Sequence, residues 1–320
     1  MRLVTGLAAW PHPPRRTVVT VGVFDGVHRA HQQLVRRAVA LAHRLKAASV
    51  VVTFDPDPHA VLEPRTAPRP LMPLGVRCGW LQRLGADWVW VIPFTRRFAT
   101  MRAEQFVERI LLRRLRSATL VVGSDFAFGQ GRTGNVALLR RLGARVGLRV
   151  MSLAEVRQGG RPVSSSRIRQ LLEQGRLDAA ARLLGRAPAL YGTGVRGAGR
   201  GRQLGFPTAN LRLVPQVLPP RGVYAVRVQV LRGAGGRLQQ PSGRRWDGVM
   251  NLGVRPTFGE RRLVCEVHLF GFSGSLLRRP VSISLLKRLR GERRFASPRA
   301  LAAQIARDVR RARVLLARLA

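Results

Sequence analysis

Apolar and polar positions follow one rhythm up to about residue 185 and another beyond it. In the first stretch, short β-branched or apolar runs alternate with segments whose apolar residues recur three and four apart. Thr17–Val23, Ala48–Phe54, Trp88–Phe94, Leu120–Gly123 and Leu148–Leu153 read as buried strands. Between them, His28–His43 repeats Leu34, Val35, Ala38, Leu41 and Ala42 at helical spacing, and 75–84, 103–115 and 136–146 show the same pattern. Strands alternating with helices predict βαβ units and a parallel sheet. Two short helices, 166–173 and 177–184, close this half.

From Leu190 the segments become glycine-punctuated and strand-like: 191–196, 222–230, 246–252, 263–270 and 281–289. Strict alternation in 224–230 suits a half-buried antiparallel strand. A helix over 298–319 ends the chain, with Leu301, Ile305, Val309 and Leu316 on its apolar stripe. The pattern predicts an α/β parallel-sheet domain over 1–185, then a small antiparallel β-barrel with a C-terminal helix over 186–320.

Composition narrows the class. The 320 residues, 46% hydrophobic and 23% charged, suffice for two globular cores. No apolar run reaches membrane-spanning length, and no signal sequence is legible at the N-terminus. Cys78 and Cys265 are too few for a disulfide framework or a metal cluster, so two reduced thiols and a cytoplasmic location are expected. The net charge is +41; of 57 basic residues only Lys46 and Lys287 are lysines. The 55 arginines are spread over the whole chain with no aromatic platform for bases, so nucleic-acid contact is expected to be non-specific if it occurs. Nothing in the pattern specifies an oligomer.

Five segments carry candidate chemistry. In Gly22-Val23-Phe24-Asp25-Gly26-Val27-His28-Arg29-Ala30-His31, two histidines stand where a strand gives way to a helix. Free backbone N–H groups and imidazole donors at such a place can hold a triphosphate; two solvent-facing histidines fit the spacing as well. The glycine-rich loop opening with Gly123-Ser124-Asp125 starts at a strand's C-terminal end, where open sheets bind ligands, and Asp125 could bond a hydroxyl or ring. Ser164-Ser165-Ser166-Arg167-Ile168-Arg169 offers either a helix cap or, with Arg169 one turn on, a phosphate cradle. The segment 197–210 is a Gly/Arg loop, with Gly199, Gly201, Arg202 and Gly205, that runs into Pro207-Thr208-Ala209-Asn210. Its glycines permit a phosphate-wrapping flap or a plain hairpin, and the Thr208 hydroxyl and Asn210 carbonyl suit a hard cation. In Cys265-Glu266-Val267-His268, Glu266 and His268 share one strand face.

Taken together, these segments resemble bacterial-type bifunctional riboflavin kinase/FAD synthetases, collinearly from Met1 to about Arg313. Phe-Asp-Gly-Val-His and the His28/His31 pair resemble the nucleotidyltransferase mark His-x-Gly-His, and Gly-Arg-x-Leu-Gly-Phe-Pro-Thr-Ala-Asn resembles the riboflavin kinase signature. The resemblance implies a nucleotidyltransferase-like, Rossmann-like first domain and a riboflavin kinase barrel. ATP would serve as co-substrate with Mg²⁺, riboflavin and FMN as flavin substrates, and no cofactor would be permanently bound. It implies that Gly22, Phe24, Asp25, His28, His31, Asp125, Ser165, Ser166 and Arg169 serve the adenylyltransferase, His28 and His31 as its catalytic pair. Gly199, Gly201, Arg202, Gly205, Pro207, Thr208, Asn210 and Arg290 would serve the kinase, with Thr208 and Asn210 on the metal and Glu266 as the base. Several positions depart from the family pattern: in the first half Ala30 for glycine, Asp57 between Pro56 and Pro58, and Ala127 for arginine, and in the kinase half Leu269-Phe270-Gly271-Phe272 and Leu276-Leu277-Arg278. Ala30 adds a methyl where nucleotide packs, and Asp57 places a carboxylate near triphosphate. FAD formation is therefore predicted to run slower than FMN formation. A time course separating FMN from FAD checks this; equal rates for the two steps would contradict it.

Overall fold

The computed structural model describes the chain except residues 1, 8–9, 11–15, 198–200, 202–203, 233–238, 258–259 and 320, and the side chains of 255–262. Gly199 and Arg202 of the predicted flap therefore lie outside the described residues. Contacts divide the chain into two compact units: residues 1–68 with 74–164, and residues 69–73 with 165–320.

The first unit is built on a six-stranded parallel sheet. Its strands are β1 (Arg2–Thr5), β2 (Thr17–Val21), β3 (Ala48–Phe54), β4 (Trp88–Ile92), β5 (Ser117–Gly123) and β6 (Arg149–Leu153), in the order β1-β4-β3-β2-β5-β6. β2 and β4 are buried at every residue, as a sheet covered on both faces requires. Helix α1 (Arg29–Arg44) lays Ala38, Leu41 and Ala42 on Val18 and Val121. On the other face, a π-helical stretch (Phe106–Arg114) and α6 (Val136–Val146) bury Phe106, Ile110, Leu111 and Leu139 against Val19, Val50 and Leu120. Shorter helices are α2 (Pro58–Leu62), α3 (Leu74–Arg83), α4 (Arg96–Ala99) and α5 (Ala103–Gln105). A two-residue-strand hairpin, β7 (Arg157–Gln158) with β8 (Arg161–Pro162), follows β6.

Sheet order places the first-unit site. Successive strands β2, β3 and β4 step away in one direction, and β5 returns to the other side of β2. Such a reversal opens a crevice at the carboxyl ends of β2 and β5, where open α/β sheets take ligands. Both glycine-rich segments of this half leave from those two ends.

The second unit holds α7 (Ser165–Glu173), α8 (Leu177–Leu184) and a closed antiparallel barrel. Its strands are β9 (Ala189–Val195), β10 (Ala209–Leu213), β11 (Gly222–Arg232), β12 (Gln240–Thr257), β13 (Glu260–Leu269) and β14 (Pro280–Arg290), in the order β10-β13-β12-β11-β14-β9. The expected parallel-sheet and barrel architecture is thus observed, with strands β1 and β10 added to those the pattern predicts. Alternation sends Tyr224, Val226, Met250, Leu252, Cys265 and Val267 to one buried face. The opposite face of β11 and β12 carries Val223, Ala225 and Val249, which α9 (Pro298–Ala317) covers with Val309, Ala312 and Leu316.

α9 is also tied to the barrel by charge. Arg290, at the end of β14, donates from Nε to Asp308 at 2.9 Å and brings Nη2 within 2.8 Å of the same carboxylate. Gln304 donates to the other Asp308 oxygen at 2.9 Å. Both charged side chains are largely buried, at 13% and 7% exposure, so neither is tolerated alone. Asp308→Asn is expected to cost about 3 kcal/mol, lowering the melting temperature of this unit by roughly 6–12 °C. Thermal denaturation checks it; a shift under about 2 °C would show that the pair is not stabilising.

Candidate functional sites

The turn leaving β2 is held in an unusual backbone. Phe24 has φ 55° and Val27 φ 39°, left-handed values that a bulky and a β-branched residue adopt only when their surroundings impose them. Gln32 secures the turn by donating to the Val27 carbonyl at 2.9 Å. His28 then caps α1: its Nδ1 accepts the His31 backbone N–H at 3.4 Å, which leaves Nε2 as the ring donor. The His28 and His31 rings stack with centroids 3.6 Å apart, and Phe24 meets His31 edge-on at 5.2 Å. Phe24, Asp25 and His28 are buried. Burial pushes the His31 imidazole well below its ordinary pKa, helped by the neighbouring charges of His28 and Arg77. At neutral pH His31 is a neutral ring with one N–H to give. The Phe24, Asp25, His28 and His31 predicted for one site are therefore brought together, one strand from the β5 loop.

In that loop Asp125 is exposed, in a turn closed by the Phe126 N–H on the Gly123 carbonyl at 3.2 Å. Phe126 and Phe128 stack at 5.5 Å, and Phe128 pairs in both directions with Gly134, which folds the loop back on itself. Asp57, expected near triphosphate, instead uses its carboxylate to cap α2, accepting the His59 N–H at 2.9 Å. Ser165, Ser166 and Arg169 open α7 in the second unit, and Arg169 Nε donates to the Arg69 carbonyl at 2.9 Å.

The pattern missed one residue here. Arg77, in α3, is 6% exposed and reaches Val23, Thr53 and Phe54 at the ends of β2 and β3. Its only sequence signal is a charge in the middle of the apolar stretch Leu74-Gly-Val-Arg-Cys-Gly-Trp-Leu.

In the barrel, register assembles the second site. Asn210 on β10 lies opposite Glu266 on β13, and Glu266 lies opposite Asn251 on β12. Residues directly opposite share a face, so amide, carboxylate and amide form a row across three strands. On this face Asn210, Asn251 and Glu266 are half-buried, while Val223 and Val249 lie under α9. Two residues along β13, His268 Nδ1 bonds the Pro207 carbonyl at 2.9 Å and its ring meets Phe206 and Phe270 edge-on. That bond ties the Pro207-Thr208 entry of β10 to the Glu266 strand. The Thr208 hydroxyl, Asn210 carbonyl and Glu266 carboxylate are all-oxygen donors, the kind Mg²⁺ takes. Arg290, expected at the ligand, is spent on Asp308, on the Gly291 carbonyl and on the Phe295 ring 5.6 Å away. Beyond it, Glu292 Oε1 accepts the Val254 N–H at 3.3 Å.

Glycine is required by close approach at two points of the loop before β10. A Cβ on Gly197 would run into the Asn210 amide, and one on Gly201 would stand 2.5 Å from the Phe206 carbonyl and 2.7 Å from the Thr208 hydroxyl. The backbone at Gly197 and Gly201 thus lies directly against Asn210 and Thr208, the two predicted metal ligands. Gly197→Ala should displace the Asn210 side chain and weaken ATP binding by the barrel at least tenfold, with the melting temperature held within a few degrees. Calorimetric titration checks it; parental affinity would detach Asn210 from nucleotide binding.

Comparison with known proteins agrees with this division. A family model described as FAD synthetase matches residues 11–167, and one described as riboflavin kinase matches 184–316. The chain is 38% identical to the bifunctional riboflavin kinase/FMN adenylyltransferase of Escherichia coli K12, over 96% of each chain. It is 39% identical to the protein of that name from Pseudomonas fluorescens, over 99% of this chain and 98% of the relative. A solved structure titled as a macrolide-efflux protein from Streptococcus pneumoniae superposes with a TM-score of 0.79 at 29% identity, covering 92% of this chain and 93% of that one. Efflux belongs to that title: among the described residues no helix of this chain is long and apolar enough to cross a membrane.

Proposed function

Because this chain belongs to the bifunctional riboflavin kinase/FMN adenylyltransferase family, making FMN from riboflavin with ATP and FAD from FMN with ATP, we propose how its residues divide the two reactions. The kinase falls to the barrel side, 186–320, and the adenylyltransferase to 1–185. The observation that carries the kinase assignment is the register of Asn210 opposite Glu266, beside a glycine-lined loop.

In the kinase, Glu266 accepts the proton of the ribityl 5′-hydroxyl as that oxygen attacks the γ-phosphorus of ATP and ADP leaves. Thr208 and Asn210 hold the Mg-nucleotide, and the backbone at Gly197 and Gly201 lies beside them. Mg²⁺, when bound, draws off charge from the phosphate oxygens. His268 keeps Thr208 and Glu266 in one arrangement through its bond to Pro207. Arg290 acts from behind, anchoring the 291–295 loop to α9 rather than touching the flavin.

In the adenylyltransferase, a phosphate oxygen of FMN attacks the α-phosphorus of the second ATP, and pyrophosphate leaves. No base is needed, because the FMN phosphate is already ionised. His28 and His31 supply N–H donors to the charge that grows on the α-phosphate and the leaving group. Asp125, from the neighbouring strand, fits a hydroxyl or ring of the nucleotide. Ser165, Ser166 and Arg169 suit a phosphate-facing helix start. Both cysteines are buried free thiols, with pKa values pushed up to about 11 at Cys78 and about 12 at Cys265 by burial, and neither takes part in either reaction.

Incubation with riboflavin, ATP and Mg²⁺ followed by separation of FMN and FAD tests the division. Glu266→Gln should lower FMN formation by roughly 10²–10⁴ while sparing the conversion of supplied FMN to FAD. His28→Ala should do the reverse. A variant that loses both activities, or neither, would overturn the assignment of its residue.

A further inference from the structure

The strained turn that presents His28 and His31 must be held by something, and the candidate segments of the sequence do not include all of it. Arg77 enters from α3 and is buried, with its side chain 7% exposed. Nη1 donates to the Val23 carbonyl at 2.6 Å and to the Phe54 carbonyl at 3.3 Å, and it lies 3.4 Å from the Thr53 hydroxyl. Nη2 lies 4.0 Å from the Asp55 carboxylate. The Thr53 hydroxyl itself donates to the same Val23 carbonyl at 2.9 Å. One guanidinium therefore joins the end of β2, one residue before the left-handed Phe24, to the end of β3.

Resting on the reading of His28 and His31 above, we propose that Arg77 is a positioning residue for FMN adenylylation: a buried fork that locks the β2 and β3 ends together and so sets the turn 24–28 and its two histidines. Three features support it. Val23 is the last residue before two consecutive demands on the backbone, the left-handed Phe24 and the buried Asp25. A planar guanidinium can serve several acceptors at once, which a lysine ammonium on a flexible stem cannot do with the same geometry. A buried arginine whose Nε has no partner is retained at a desolvation cost, as expected of a group kept for a site and not for packing. The ionisable groups gathered about His31 are His28 from its own turn and Arg77 from α3, with Asp55 behind Arg77 at the end of β3. Arg77 thus also opposes protonation of His31, and its removal should move the acid limb of the adenylylation profile to higher pH.

The test uses the full chain, supplied with FMN, ATP and Mg²⁺, with FMN formation from riboflavin measured in the same preparations. Arg77→Lys should lower the kcat of FAD formation about tenfold, with the KM for ATP changed less than threefold and the kinase rate as in the parent. Arg77→Met should lower it about a hundredfold and shift the acid limb upward. Rates are referred to the folded fraction from thermal melts, so that lost protein is not counted as lost catalysis. Parental kcat in both variants, or losses that vanish on this correction with the acid limb unmoved, overturns the proposal. His28→Ala separates the two failures. If it abolishes FAD formation while the Arg77 variants are unchanged, only the clamp is wrong. If it leaves FAD formation intact, the site reading falls and the clamp with it.

Discussion

Strand register in the barrel is the constraint on which the proposed kinase site depends. With Asn210 opposite Glu266 and Glu266 opposite Asn251, three polar side chains stand on the half-buried face, while Leu211, Cys265 and Leu252 face the core. A slip of one residue would exchange the two sets, burying the carboxylate and exposing the core. The hydrophobic cost of that exchange holds the polar row in place, so the core's packing and the row's geometry are enforced by the same alternation. The Arg290–Asp308 pair and the cover of α9 secure the next strands along the barrel.

The first unit solves a similar problem with different means. Its sheet is buried on both faces, so polar groups can be offered only at strand ends, and the strand order leaves a crevice at the ends of β2 and β5. The turn after β2 adopts left-handed backbone at Phe24 and Val27, then starts α1 with His28 as its cap. A histidine used as a helix cap is oriented by the fold before any substrate arrives. Its stacked neighbour His31 is kept neutral by burial and by the nearby charges of His28 and Arg77. Orientation already present in the free protein is what electrostatic stabilisation of a developing charge requires.

Much of this was legible in the sequence, for identifiable reasons. Buried parallel strands and amphipathic helices are written in contiguous residues, so β2, β3, β4, α1 and α9 could be read directly. β1 is four residues long at a sheet edge, too short to show a period. β10 was hidden because Ala209–Leu213 looks like the end of a glycine-rich loop, and only pairing with β9 and β13 makes it a strand. Contiguous motifs likewise singled out His28, His31, Thr208, Asn210 and Glu266 as candidates. The roles of Arg77, His268 and Arg290 were not legible, because each is defined by a partner far along the chain: Val23, Pro207 and Asp308. Asp57 shows a structural use the pattern did not predict, since its carboxylate caps α2.

The central claim is that one chain carries two separate nucleotide sites, one set by the His28 turn and one by the Asn210 row. Calorimetric titration with ATP and Mg²⁺ measures this most directly, comparing the parent with His28→Ala, Asn210→Ala and the double variant. Two ATP per chain are expected in the parent, one in each single variant, and none in the double variant. A single ATP per chain in the parent, or loss of both sites on either single substitution, would contradict it.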